Sequence, residues 1–263
     1  MERIGLLILG ATVSGIALAC ARGSECALVE EGMLPGSEYV AGMNMAPYRG
    51  EALGAGARAL LDECRAGGLV NAAGEIHLPP IQAMLARRLK DSGARVRLYT
   101  RVLDVTPVDG GYSVTLFDAQ GAHGLLAGRI VATRADGRGK KALCAALNLP
   151  RGEGLPELPG AQVQRGPIAG EYALKLPLPD GASWPQARSL LHAYWQANAK
   201  DGWEIAAVAP NFVYDYDRPV VEQAEPGRFA CISASFGDLF AAWEGGEACA
   251  CTLCSRESRA PLR

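Results

Sequence analysis

Two glycines, Gly10 and Gly15, follow a run of branched apolar residues, Ile4-Gly-Leu-Leu-Ile-Leu9, and Glu30 stands twenty positions after the first of them. Residues of these types at this spacing suit a pyrophosphate. A helix that starts in such a turn presents free N–H groups and a partial positive charge to an anion. Gly10 lets the chain leave a strand sharply, and Gly15 lets the helix pack close to the sheet. The candidate contacts along the turn are therefore Gly10, Ala11, Thr12, Val13, Ser14 and Gly15. Glu30, with Glu31 beside it, falls where a carboxylate accepts hydrogen bonds from an adenosine ribose and repels a 2′-phosphate.

Other chemistry finds less support. The three histidines, His77, His123 and His192, stand in no metal-ligand spacing. Cys249-Ala-Cys251-Thr-Leu-Cys254 carries Cys-x-x-Cys spacing but has no second ligand pair nearby, so it reads as thiols at a helix end rather than a metal site. No G-x-S-x-G elbow is present, and the turn lacks the Gly-Lys-Ser/Thr ending of a P-loop, which leaves hydrolase and ATPase chemistry unsupported. Trp184, Tyr194, Trp195, Trp203, Phe212, Tyr214 and Tyr216 form an aromatic set that walls a ligand or fills a core. No residue stands out as catalytic.

The elements that must position the turn can be read in order. Ile4–Leu9 suits a central strand buried on both faces of a parallel sheet. Ile16–Arg22 is a helical run ended near Gly23, and Ala27–Glu30 is the next strand, pairing in parallel beside the first. Leu78–Ser92 has one apolar helical face with prolines at its start. Strands follow at Ala94–Tyr99, Arg101–Val105, Gly111–Phe117 and Gly128–Thr133, separated by turn signals. Pro150–Pro167 is rich in Pro and Gly and reads as a linker or loop. Glu171–Leu176, Trp203–Val208 and Asn211–Tyr216 suit strands, and Trp184–Ala199 a helix. Late in the chain, a strand at Gly227–Ala234 runs through Ser235-Phe-Gly-Asp238 into a helix from Leu239 to Cys251.

This order resembles the FAD-dependent oxidoreductases that begin with a Rossmann-type glycine fingerprint. The resemblance covers about the first 140 residues and the last 40. Thr12 replaces the middle glycine of their G-x-G-x-x-G pattern, and Arg134 stands where their A-T-G-x-G turn has glycine. The resemblance implies an α/β fold: a Rossmann-like FAD/NAD(P)-binding three-layer domain with a β-meander and a smaller α+β substrate domain. It places the FAD-binding domain at 1–149 and 218–263 and the substrate domain at 150–217. It adds Val102 as an adenine contact, Thr133 in the second turn, and Asp238 with Leu239 at the start of a helix aimed at the flavin. Asp238 reads equally as a plain helix N-cap. The cofactor implied is FAD and the partner a small-molecule substrate. The alternative is a non-catalytic or degenerate protein binding FAD or NAD.

Composition sets outer limits. The 263 residues are 49% apolar and 21% charged, which argues against bulk disorder. A net charge of −2 offers no basic surplus for nucleic acid or an anionic membrane. The eight cysteines lie scattered, several inside apolar runs, as expected for a reducing cytoplasm. Ile4–Ala21 carries no charge, and a further alternative reads it as an export signal with Cys20 as a lipoprotein anchor. Glu2 beside Arg3, the spaced glycines and the strand that follows favour the first reading.

Overall fold

The computed structural model describes residues 2–150 and 157–257. The chain opens with β1 (Glu2–Leu9), α1 (Val13–Arg22) and β2 (Cys26–Val29), followed by α2 (Ala55–Ala66), α3 (Leu78–Asp91) and β3 (Arg95–Arg97). A meander of β4 (Arg101–Val108), β5 (Gly111–Asp118) and β6 (Gly121–Ala132) comes next. Then come β7 (Lys140–Asn148), β8 (Gln162–Arg165), β9 (Glu171–Pro177), α4 (Trp184–Asn198), β10 (Glu204–Val208) and β11 (Val213–Asp215). The chain closes with β12 (Val221–Glu225), β13 (Arg228–Cys231) and α5 (Leu239–Glu257).

The first sheet runs β12-β13-β6-β1-β2-β3. From β13 to β3 the neighbours pair in parallel, so β1 lies inside the sheet with β2 parallel at its side, as its apolar run requires. Leu6 and Ile8 of β1 face a core built with α1, α2, α3 and α5. Leu7 faces the other way, into a core shared with Val114 and Leu116 of β5 and Leu125 and Ile130 of β6. The result is three layers: helices, parallel sheet and meander. The twelve-residue strand β6 joins the last two. It pairs antiparallel with β5 along its first part and parallel with β13 at its end.

A second, antiparallel sheet runs β10-β7-β9-β8, with β11 also on β7, and carries α4 through Ala187 and Leu191. Its central strand comes from Lys140–Asn148, before residue 150. The sequence reading assigned no element there, nor to α2 or β12. The stretch read as a loop from Pro150 to Pro167 contains β8; residues 151–156 of that stretch lie outside the described residues.

Residues 4–21 are a strand and a helix rather than one apolar span, and among the described residues no helix is long and apolar enough to cross a membrane. Cys20 lies inside α1 with its thiol against the carbonyl of Arg88 at 3.5 Å. Cleavage before Cys20 would remove the strand around which the first sheet is built.

Candidate functional site

The turn between β1 and α1 is built by close approach. Gly10 has φ +117°, a conformation that a side chain would strain, and a Cβ there would press on Arg134 and Thr133. A Cβ on Gly15 would collide with the carbonyl of Gly10. The turn lies at the C-terminal ends of β1 and β6, where the connections leave in opposite directions along the sheet. Open α/β sheets bind their ligands at such points.

Side chains of the protein itself hold the turn's amides. Ala11 N donates to Glu30 Oε2 at 2.8 Å. Val13 N donates to Glu38 Oε1 at 2.6 Å. Ser14 N donates to Ser233 Oγ at 3.1 Å, and that hydroxyl donates in turn to Glu38 Oε1 at 2.7 Å. Gly15 N donates to Thr12 Oγ1 at 3.1 Å, so Thr12 is the N-cap of α1. The Thr12 hydroxyl donates to Thr133 Oγ1 at 2.7 Å, which turns it toward the neighbouring strand rather than outward. Ser14 Oγ donates to Ala242 O at 2.6 Å and ties α1 to α5.

Glu30 is buried and fully engaged. Besides Ala11 N, it accepts from Gly32 N at 2.7 Å and from Arg134 Nη2 at 2.9 Å, both on Oε1. The Arg134 guanidinium also reaches Glu31 at 3.2 Å, so its stem crosses over Gly10 while its head bridges two acids. Glu38 is reached by a loop that doubles back over the turn, where Gly36 N donates to Ala11 O at 2.6 Å. Glu38 as a residue is half-buried, but its Oε2 is out of solvent and has no partner. Burial pushes this carboxyl up to about 7, against the pull of the Ser233 and Val13 hydrogen bonds. Burial likewise raises Asp238, whose Oδ1 accepts from Phe240 N at 2.8 Å and Ala241 N at 3.0 Å. Asp238 therefore caps α5.

Two cavities open at this end of the sheet. One, of about 430 Å³, lies between the turn and the second sheet, lined by Thr12, Glu31, Glu38, Arg134, Trp184 and Phe212 among others. Trp184 and Phe212 stack at 4.1 Å and form its far wall. The other, of about 420 Å³, runs along the strand ends past Leu9, Val29, Glu31, Val102, Ala132 and Arg134. The structure thus brings Gly10 to Gly15, Glu30, Glu31, Thr133 and Val102 to one end of the molecule. Leu239 sits fully buried in the helical core instead. The histidines lie elsewhere: His77 on Glu171 at 2.5 Å, His123 on Arg97 at 2.9 Å, and His192 exposed. Cys249, Cys251 and Cys254 all fall within α5, the first buried and the others exposed. Among the described residues no group of three or more His, Cys, Asp or Glu is arranged for a metal ion.

Glu38 and Ser233 were not anticipated. Glu38 belongs to no periodic segment; Ser233 falls in the stretch read as the strand Gly227–Ala234 but lies beyond the end of β13 at Cys231, and it reaches the turn because β13 lies beside β6. The spacing of Glu38 from Glu30 carries no signal without the loop that folds it back.

Solved structures share this architecture. The p-nitrophenol 4-monooxygenase from Pseudomonas putida matches over 99% of this chain and 82% of its own, at 12% identity and a TM-score of 0.66. L-proline dehydrogenase from P. horikoshii matches over 99% and 96%, at 13% identity and a TM-score of 0.63. Aklavinone-11 hydroxylase, solved as a ternary complex with FAD and aklavinone, matches over 98% and 63%, at 15% identity and a TM-score of 0.57. The chain has the Rossmann-like fold of these oxidoreductases. It spans 59% to 64% of several of the similar chains, the aklavinone hydroxylase included. No family model and no curated protein matches it.

Proposed function

We propose that this chain is an FAD-dependent oxidoreductase acting on a small molecule. One observation carries the reading: the β1–Gly10 turn–α1–β2 crossing ends on Glu30 at the strand-order reversal, with cavities on both sides. The close packing of the turn suits a dinucleotide fold: a Cβ at Gly10 would meet Arg134 and Thr133, and one at Gly15 the Gly10 carbonyl. The polar fit is partial, since Glu38 and Ser233 hold the amides of Val13 and Ser14. In this reading Arg134 would meet phosphate oxygens and Glu31, which with Arg134 lines both cavities, would accept from a ribose, while Glu30 is taken up by Ala11 N, Gly32 N and Arg134. Val102 lines the strand-end cavity as an apolar surface for a base. Trp184 and Phe212 offer a flat apolar wall to an aromatic ring system. When bound, the flavin would supply the electron transfer, while the protein positions it and keeps out water. The unpaired thiols suit a reducing cytoplasm.

The second reading is a dinucleotide-binding protein without turnover. Thr12, Arg134 and Glu38, which together close the turn, favour it. Purified protein separates the two. Absorbance bands near ~370 and ~450 nm that persist through gel filtration, together with reduction by an added electron donor, support the first. Binding of FAD or NAD without reduction supports the second. Binding of neither overturns both.

A further inference from the structure

The N-terminus of α1 already holds an anion, and the anion belongs to the protein. Glu38 Oε1 takes the amide of Val13 at 2.6 Å and the Ser233 hydroxyl at 2.7 Å, while Ser233 takes the amide of Ser14. These are the donors a bound phosphate would use. The other oxygen, Oε2, is buried with no partner. A carboxylate placed for structural reasons alone ordinarily satisfies both oxygens or leaves one in water.

We propose that Glu38 is an internal competitor for the phosphate site, so that its charge sets how tightly the chain takes a dinucleotide. The inference rests on the dinucleotide-binding reading above, but its first test needs only phosphate chemistry. A charged Glu38 opposes a phosphate twice, by occupying the Val13 amide and by like-charge repulsion. A neutral Glu38 leaves the amide more readily and does not repel.

The surroundings allow Glu38 to change charge near neutrality. Burial pushes its carboxyl up to about 7. The groups that face it are Glu30 and Glu31 at the end of β2, Arg134 beyond β6, Tyr214 on β11 and Tyr39 beside it on the loop, with Asp238 at the start of α5 on the far side of Tyr39. Glu30 raises it further by like charge. Arg134 is held by Glu30 and Glu31, not by Glu38. Tyr39 is pushed well above its usual range by burial, and Asp238, also raised by burial, is the same in wild type and variants and cancels in their ratio.

The experiment is calorimetric titration of cofactor-free protein with inorganic pyrophosphate and, separately, with FAD. Wild type, Glu38→Gln and Glu38→Ala are compared at about pH 6 and about pH 8, either side of the Glu38 carboxyl value of about 7. The quantity read is the affinity ratio of variant to wild type, which cancels the titration of pyrophosphate itself. The ratio should be near one at about pH 6 and rise toward about tenfold at about pH 8, the most that a carboxyl of about 7 allows there. If that pattern holds for pyrophosphate while FAD binds no variant, the competitor role stands and the FAD reading falls. A ratio that is the same at both pH values, or pyrophosphate binding by none of the three proteins, overturns the competitor role. Circular dichroism of each variant confirms that it folds, and the alanine variant controls for an effect peculiar to the glutamine amide.

Discussion

Replacing Glu38 with glutamine should change how folding stability responds to pH. The Glu38 carboxyl is lifted by burial to about 7 in the folded chain, against an ordinary 4.5. An acid raised on folding favours the folded state where it is protonated. That contribution is complete below the unfolded value near 4.5 and is lost as pH rises through about 7. At 1.36 kcal/mol per tenfold change in proton affinity, the full gap is worth roughly 3 kcal/mol. Glu38 lines the cavity beside the turn, and relaxation of the charged head toward it lowers the cost, so the expected loss is about 1–3 kcal/mol. Glutamine keeps the acceptor for Val13 N and Ser233 and has no charge to gain. Urea unfolding followed by tryptophan fluorescence, at about pH 4 and about pH 8, measures both proteins. They should agree at the lower pH, and the variant should be more stable by about 1–3 kcal/mol at the higher. Asp238, also raised by burial, titrates in both and cancels in the difference. Parallel stability curves across that range would refute the reasoning, because they would mean that Glu38 is ionised at no cost where it sits.

Gly15→Ala drives a methyl group into the Gly10 carbonyl and should lower stability by about 1–3 kcal/mol, read from the urea midpoint at unchanged slope. Thr12→Val keeps the shape but removes the acceptor for Gly15 N and the bond to Thr133; a loss of about 1–2 kcal/mol is expected in the same assay, with Thr12→Ser close to wild type. Asp238→Ala leaves the amides of Phe240 and Ala241 without their acceptor and should cost about 1–2 kcal/mol, whereas Asp238→Asn should lie within a few tenths. A variant with asparagine as damaging as alanine would show that the charge of Asp238 matters beyond the cap.

The framework of the first sheet was legible because each element carries its own signal. Ile4–Leu9 suits a strand buried on both faces, and Pro79 with the spacing of Leu78, Ile81, Leu85 and Leu89 marks α3. Asp238 stands one residue before its helix, as a capping residue does. Helix α2 carried a signal of the same kind, since Ala57, Leu60, Leu61 and Cys64 share its buried face, but glycines and charges interrupt the stretch. Strand β7 hides for a different reason. Lys-Lys-Ala-Leu-Cys-Ala-Ala-Leu-Asn has small apolar residues where branched ones mark a strand, and only its partners β9, β10 and β11 hold it extended. Local patterns located the amides of the site. They did not show what the amides bind, because Glu38 and Ser233 arrive through long-range packing, with 25 and 219 residues of separation from Val13 and Ser14.

The departures from the glycine pattern at Thr12 and Arg134 belong to one arrangement with Glu38. With no side chain at position 12, Gly15 N would lack its cap; with none at 134, Glu30 and Glu31 would stand as neighbouring acids without a base. Of the charged residues lining the cavity between the turn and the second sheet, Glu31 and Glu38 are acids and Arg134 is the base. A pyrophosphate entering there adds negative charge to a site that is already acidic. It must also exchange existing hydrogen bonds, each worth about 0.5–1.5 kcal/mol net, for its own. Charge-assisted bonds from amides to phosphate exceed neutral ones, but Val13 N already has a charge-assisted partner whenever Glu38 is ionised. The gain on binding therefore depends less on how many donors the turn offers than on whether Glu38 has given up its charge. The same closure stabilises the chain before any ligand arrives, since the amides of α1's first turn are satisfied from within.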